Sequence, residues 1–284
     1  MIEIYDGFEP SLDGGHFSTY RKNLGNKLFI YAGCRIIADI LNYDLISPDN
    51  ALVRRENNET GTYEDQIFPF KSVLGRQRVD NPTKVISDHD IISFQSIENL
   101  IKHFPNHKFV NQCYFSKYDY IKPYKDMVKE YFKLLVKPKR ETNDMVIMLR
   151  NSKLDGSFVL PDEYYLNILE KETFDNLYIS LDHIDRHQSL LKKLEVYNPK
   201  FINQKILELF SEITSFNKII ASQGTFSFWA CFLSNANKIY WAITNDGPNS
   251  GKNSDKVVFK DYVNLIVDDE PRYEFINVPN IYQR

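Results

Sequence analysis

The chain has 284 residues, which suits one large domain or two of ordinary size at about 150 residues each. With 43% hydrophobic and 26% charged residues, global disorder and fibrous structure are excluded. Lys plus Arg is 35 and Asp plus Glu is 38, so the net charge is 35 − 38 = −3. That balance lacks the basic surplus of a nucleic-acid binder and leaves room only for a local basic site.

Cys34, Cys113 and Cys231 are odd in number, far apart and form no C-x-x-C pair, so neither a disulfide framework nor a cysteine zinc site is expected. The opening MIEIYDGFEP has no basic stretch followed by an apolar one, so no signal peptide is expected. No run of 18 apolar residues occurs, so no membrane-spanning helix is expected either. The expected location is the cytoplasm, with at most peripheral membrane contact. The 14% aromatic content suits large core residues or sugar-stacking clefts.

In chain order, Gly14-Gly15-His16-Phe17 precedes Asn23-Leu24-Gly25-Asn26-Lys27-Leu28-Phe29. A proline-free helix follows to Leu41, with Leu28, Ala32, Ile36 and Ile40 on one face. Gly25 and Asn26 stand at its start, where free N–H groups and the helix dipole favour an anion. Residues 43–95 read as irregular, with β-like pieces at Ala51–Val53 and Lys84–Ser87 and a polar loop at Arg54–Tyr63. Ser96 caps a short helix to His103, Phe109–Phe115 reads as a strand, and Pro123 opens a helix over Tyr124–Leu135. Val136–Asp144, charged and non-periodic, reads as the linker between a domain 1–140 and a domain 141–284 whose tail packs back on the first.

Met145–Leu149 is apolar on both faces, as a buried parallel strand is, and ends in Arg150-Asn151-Ser152-Lys153. A helix over Pro161–Leu169 follows, then a strand Leu177–Ser180 ending in Asp182-His183. Next come a helix over Gln204–Thr214 and a strand Lys218–Ala221. The turn Ser222-Gln223-Gly224-Thr225 leads into a helix Phe226–Leu233, a strand Lys238–Ala242 and a loop Asp246–Asp255. The β-α-β-α-β-α-β order predicts a doubly wound parallel sheet, with ligands at the carboxyl ends of its strands. The i, i+4 pairs His103/His107 and His183/His187 lack the glutamate of H-E-x-x-H, and Pro105 breaks the first, so solvated histidines are the better account than metal ligands.

Four stretches in order are similar to the alpha-1,2-fucosyltransferase family and its fucosyltransferase-like relatives. Leu24-Gly25-Asn26-Lys27-Leu28-Phe29 with Tyr31-Ala32 resembles G-L-G-N-Q-L/M-F-Q-Y-A. Cys113-Tyr114-Phe115-Ser116-Lys117-Tyr118 resembles G-Y-F-Q-S-E-K-Y. Met148-Leu149-Arg150-Asn151, followed by Tyr164-Tyr165, resembles H-x-R-R-G-D and a spaced Y-Y. Ile219 to Trp229 resembles I-I-A-N-S-T-F-S-W-W, and Ser180 to Ile184 resembles F-S-D-D-I. The chain departs from these patterns at Lys27, Met148, Asn151, Lys153 and Gln223-Gly224.

The resemblance implies an α/β protein of GT-B type, two Rossmann-like domains facing a cleft. It also implies inverting, metal-independent transfer from a GDP-sugar, GDP-fucose first, to a hydroxyl of a glycan or glycolipid. A different nucleotide-sugar donor and a non-catalytic nucleotide- or glycan-binding relative are the alternatives. No cofactor, metal or nucleic acid is expected. Charge grows on the leaving diphosphate, and Arg150 at a strand's carboxyl end has the planar fork to meet it. Ser222, Gly224, Thr225, Phe226 and Ser227 form an anion site at a helix start, unless Thr225 serves only as the helix cap. Gly25 and Asn26 form a further piece of the donor site, and Asp182 accepts from the guanine or ribose or caps the next helix. His16, Asp155 and Glu163 are the general-base candidates, His16 and Asp155 ahead. The acceptor loops are expected in 54–95 and 246–256.

Overall fold

The computed structural model describes residues 2–4, 24–43, 45–47, 51–56, 63–67, 73–74, 83–111, 113–149, 159–181, 187–244 and 263–278. The chain divides into two compact units, Met1–Tyr131 and Phe132–Arg284.

In the first unit, strand β1 (Ile2–Ile4) precedes helix α1 (Leu24–Leu41), then β2 (Leu45–Ser47), β3 (Ala51–Glu56), β4 (Tyr63–Ile67), β5 (Val73–Leu74) and β6 (Thr83–Ile86). Helices α2 (Asp88–Phe94) and α3 (Ile97–His103), strand β7 (Lys108–Asn111) and helices α4 (Tyr118–Ile121) and α5 (Lys125–Tyr131) complete it. The sheet runs β5-β2-β1-β7-β6, parallel throughout, while β3 and β4 form a separate antiparallel pair. That pair extends to Glu56 and restarts at Tyr63, so part of the expected polar loop is strand.

Helix α1 is buried from Leu28 to Cys34 and again at Ile36–Ala38. Its last turn leaves the core, and Ile40, expected on the apolar face, is 42% exposed. Gly33 is the contact point for Phe115, whose ring lies 2.4 Å from where a Cβ would stand. Phe115 itself has φ 53°, so the segment after β7 turns sharply instead of continuing as the expected strand. Asn111 fixes that turn by donating to the Cys113 carbonyl at 2.9 Å and accepting from the Cys113 N–H at 3.1 Å. Ser96 caps α3 as expected, accepting from the Asn99 N–H at 3.1 Å. Helix α2 begins with a capping box between Ser87 and Asp90. Pro123 lies in a 3-10 turn, Lys122–Tyr124, that leads into α5, as expected of a helix-opening proline, while the expected helix to Leu135 breaks at Phe132 into α5 and a 3-10 turn, Lys133–Leu135. The rings of His103 and His107 both pack edge-on against Phe104, with centroids at 4.7 and 5.1 Å.

The second unit holds β8 (Met145–Leu149), α6 (Asp162–Leu169), β9 (Leu177–Leu181), α7 (Gln188–Leu194), β10 (Lys200–Ile202) and α8 (Ile206–Ile213). It continues with β11 (Lys218–Ile220), α9 (Thr225–Leu233), β12 (Lys238–Thr244) and β13 (Tyr273–Val278). The sheet order is β10-β9-β8-β11-β12-β13, all parallel. Renumbered from β8, this is the 3-2-1-4-5-6 order of the Rossmann fold. The α/β doubly wound expectation is therefore met, with β10 and β13 added at the edges. The segment Tyr273–Val278 extends this sheet as β13, and the tail beyond it lies outside the described residues.

One face of the sheet packs Met145, Ile147, Leu149 and Ile179 with Tyr164, Tyr165 and Ile168 of α6 and Leu190 and Leu194 of α7. Tyr178 points the other way, against Phe216 beyond α8, with centroids 5.0 Å apart. Helices thus cover both faces, which is why β8 reads as apolar throughout.

The Val136–Asp144 segment is tied to this unit rather than hanging free. Arg140 pairs with Asp144 at 2.8 Å and with Glu212, and its guanidinium lies over Phe216 at 3.9 Å and Tyr178 at 4.5 Å. At the amino end of the sheet, Glu172 accepts from Lys218 at 2.7 Å and Lys238 at 2.8 Å, and Lys238 also pairs with Glu274 at 2.9 Å. Burial works against the Glu172 charge, but the two lysines win and pull its pKa from 4.5 down to about 2. A depressed carboxyl pKa adds stability above the unfolded value and loses it as pH falls through the folded one. We therefore expect acid denaturation to take up protons at Glu172 between about pH 4.5 and 2. Glu172→Gln should lower stability at neutral pH and flatten the acid slope in urea melts. An unchanged slope would mean the cluster is solvated in solution.

Candidate active site

The carboxyl ends of β8 and β11 define the site. β8 pairs with β9 on one side and β11 on the other. Helices α6 and α7 pack on one face of the sheet and the α8 side on the other, so β8 and β11 stand at the switch point where open α/β sheets take ligands. The register pairs Ile147 with Ile220. Continued by two residues, it sets Leu149, the last residue of β8, level with Ser222.

The turn at this point is built from Ser222 to Ser227. Gly224 has φ 119° and ψ 169°, a conformation that side chains with a Cβ resist. It lets the chain leave β11 and enter α9 directly. The Ser222 and Ser227 hydroxyls meet at 2.8 Å across the turn, both buried. Gln223, 1% exposed, donates from Nε2 to Thr244 Oγ1 at 2.7 Å, which fastens the turn to the end of β12. Gly224 is the cap residue of α9 and, having no side chain, makes no side-chain cap bond. Thr225 is thus the first helical residue, which corrects the reading of it as the cap.

An uncapped helix start of nine residues presents N–H groups and the positive end of its dipole. Thr225 and Phe226 are half-buried at this end, whereas Ser222, Gly224 and Ser227 are buried. The Phe226 ring meets Phe210 of α8 edge-on at 5.5 Å. Trp229 is fully buried against Phe132, Phe228 and Phe232, so it belongs to the core and not to a base platform. A helix start of this kind favours an anion through its dipole and backbone N–H groups.

Tyr164 supports the turn from beneath. Its hydroxyl donates toward the Ala221 carbonyl at 3.2 Å and the Tyr240 carbonyl at 2.9 Å. Burial holds that phenol well above its ordinary pKa, so it stays a neutral donor. This residue was singled out only as part of a spaced Y-Y pattern, and its role on the β11 and β12 ends needed the fold to be seen.

The remaining expected residues fall elsewhere. Gly25, buried, and Asn26, half-buried, lie in the first turn of α1 in the other unit. Glu163 is exposed on the first turn of α6. Arg150, Asp155, Asp182, His183 and His16 lie outside the described residues, as do Asn151 and Lys153 and residues 246–256. Met148, where the resembled pattern has His, is 3% exposed within β8. No group of three or more His, Cys, Asp or Glu suited to a metal occurs among the described residues. No described helix is long and apolar enough to cross a membrane.

No known family profile and no curated protein matches the chain. In coarse shape it is similar to E. coli heptosyltransferase WaaC with ADP, with a TM-score of 0.48 and 6% identity over 91% of this chain and 92% of that one. It is also similar to a mutant Arabidopsis thaliana FUT1 in complex with GDP, with a TM-score of 0.46 and 10% identity over 84% of this chain and 69% of that one. For E. coli ADP-heptose lps heptosyltransferase II the TM-score is 0.40 at 8% identity, over 97% of this chain and 89% of that one. Similarity at this level fixes neither fold nor activity.

Gly224→Ala puts a Cβ on a backbone held at φ 119°. We expect a loss of about 1–3 kcal/mol in denaturant melts. A melt identical to wild type would show that the turn relaxes freely and is not preorganised.

Proposed function

We propose that the chain is an inverting, metal-independent glycosyltransferase of GT-B arrangement. It moves a deoxy-sugar, L-fucose from GDP-fucose in the first instance, to a hydroxyl of a glycan or glycolipid. The observation that carries this reading is the uncapped start of α9 behind the Gly224 turn, at the switch point of a 3-2-1-4-5-6 sheet. The ordered sequence resemblance supports the choice of donor.

In this mechanism the acceptor oxygen attacks the anomeric carbon as the bond to the diphosphate oxygen breaks. The electron pair leaves on the diphosphate, and the acceptor proton passes to a base, His16 or Asp155. The start of α9 and Arg150, which follows β8 directly in sequence, meet the growing negative charge in place of a metal ion. Gly25 and Asn26 contribute a second helix start, and Asp182 holds the nucleoside.

A different donor nucleotide is the second reading. Gln223 stands where the resembled pattern has Asn, and its amide nitrogen is engaged with Thr244.

The test is a panel of GDP-, UDP-, ADP- and CDP-sugars with the purified chain in EDTA. Turnover with GDP-fucose is expected, and transfer from another nucleotide alone selects the second reading. Failure to bind or cleave any of them, or activity restored only by manganese or magnesium, contradicts the proposal. Tight nucleotide binding without product on any acceptor identifies a non-catalytic relative.

Arg150 gives the sharper prediction. Arg150→Lys keeps the charge and loses the fork, so it should not behave as a conservative change. Arg150→Ala should cost on the order of 10²–10³ in rate, with kcat falling as well as KM rising. A stably folded alanine variant with near-normal kcat removes Arg150 from the mechanism.

A further inference from the structure

A second feature of the 132–284 unit lies apart from the switch-point turn. A groove of about 550 Å³ runs between α6, strand β12 and the edge strand β13. It shares no lining residue with Ser222–Ser227. This volume lies within the ~300–1,000 Å³ range of ligand pockets.

Its polar lining divides into two sets. Glu172, Lys238 and Glu274 belong to the ion array described above, so their charges are already matched. The Tyr240 hydroxyl is buried beside Glu172 and Lys238 without a well-formed hydrogen bond to either. Asn167 on α6 and Asn277 on β13 are exposed, and their side-chain amides have no hydrogen-bond partner among the described residues. Ile168, Ile276 and Val278 supply apolar surface between them.

This chemistry selects against charged ligands. An anion finds Lys238 already held by two carboxylates, and a cation finds Glu172 held by two lysines. Glu163 and Lys171 are of opposite sign, but Glu163 is in the first turn of α6 and Lys171 lies just past its end, eight residues on or roughly 12 Å by helix rise. A single amino-acid zwitterion is too short to bridge them. Two amides, each with donors and an acceptor, match neighbouring hydroxyls, and the apolar strip matches the C–H face of a ring. We propose that the groove is a second binding site for an uncharged mono- or disaccharide, separate from the switch-point turn.

The proposal does not depend on the donor reading, and GDP titration keeps the two apart. The experiment is saturation-transfer difference NMR on the full chain with lactose, maltose and cellobiose, with glycylglycine as the zwitterionic control. At least one disaccharide should receive saturation. Asn167→Ala and Asn277→Ala should each weaken that binding about five- to tenfold, while melting temperature and GDP affinity stay unchanged. Asn277→Asp, which keeps the side-chain shape, should weaken it as well by removing the donors. Absence of transfer to all three sugars, transfer that survives the substitutions, or preference for glycylglycine overturns the proposal.

Discussion

β8 is hydrogen-bonded to β9 on one side and β11 on the other, and from this placement the rest of the second unit follows. Strands on the β9 side send their helices to one face, and those on the β11 side send theirs to the other. The sheet is covered on both faces, so its central strand β8 is apolar throughout. The carboxyl ends of β8 and β11 are the switch point of this strand order. A ligand site here needs no cavity to be cut into the core. It needs only a turn that stays open.

The β11–α9 turn stays open because three local interactions hold it. Gly224 provides a backbone angle that no L side chain favours. The Ser222–Ser227 hydroxyl pair closes the base of the turn, and the Gln223 amide ties it to Thr244 on the next strand. For the proposed transfer, a turn fixed in advance means little reorganisation as charge develops on the leaving group. The opposite end of the sheet is treated differently. The charges of Lys218, Glu172, Lys238 and Glu274 are matched to one another, so that end contributes stability.

Much of the second unit was legible in the sequence because its signals are local. Met145–Leu149 is a short run apolar on both faces, and Lys218–Ile220 and Lys238–Thr244 are flanked by turn residues and helical periodicity. The two edge strands were missed for the same physical reason. Lys200–Ile202 has three residues with Phe201 exposed, and Tyr273–Val278 alternates partly exposed residues with no helix pattern after it. Helix α2 was missed although Ser87 and Asp90 carry a capping box, a signal present in the sequence. The segment 136–144 has neither helix nor strand, as a linker does, but its charge was read as solvation. Arg140 is charged, yet its place between Phe216 and Tyr178 and its pairing with Glu212 depend on residues dozens of positions away. The same limit applied to Gln223, whose partner Thr244 lies 21 residues on.

The central claim is that the β11–α9 turn receives a diphosphate. The most direct measurement is a GDP titration of the isotope-labelled chain followed by amide chemical shifts. The account predicts that the backbone amides of Gly224, Thr225, Phe226 and Ser227 move most as GDP saturates. Binding of GDP that leaves these four amides in place, or no binding of GDP at all, would contradict it.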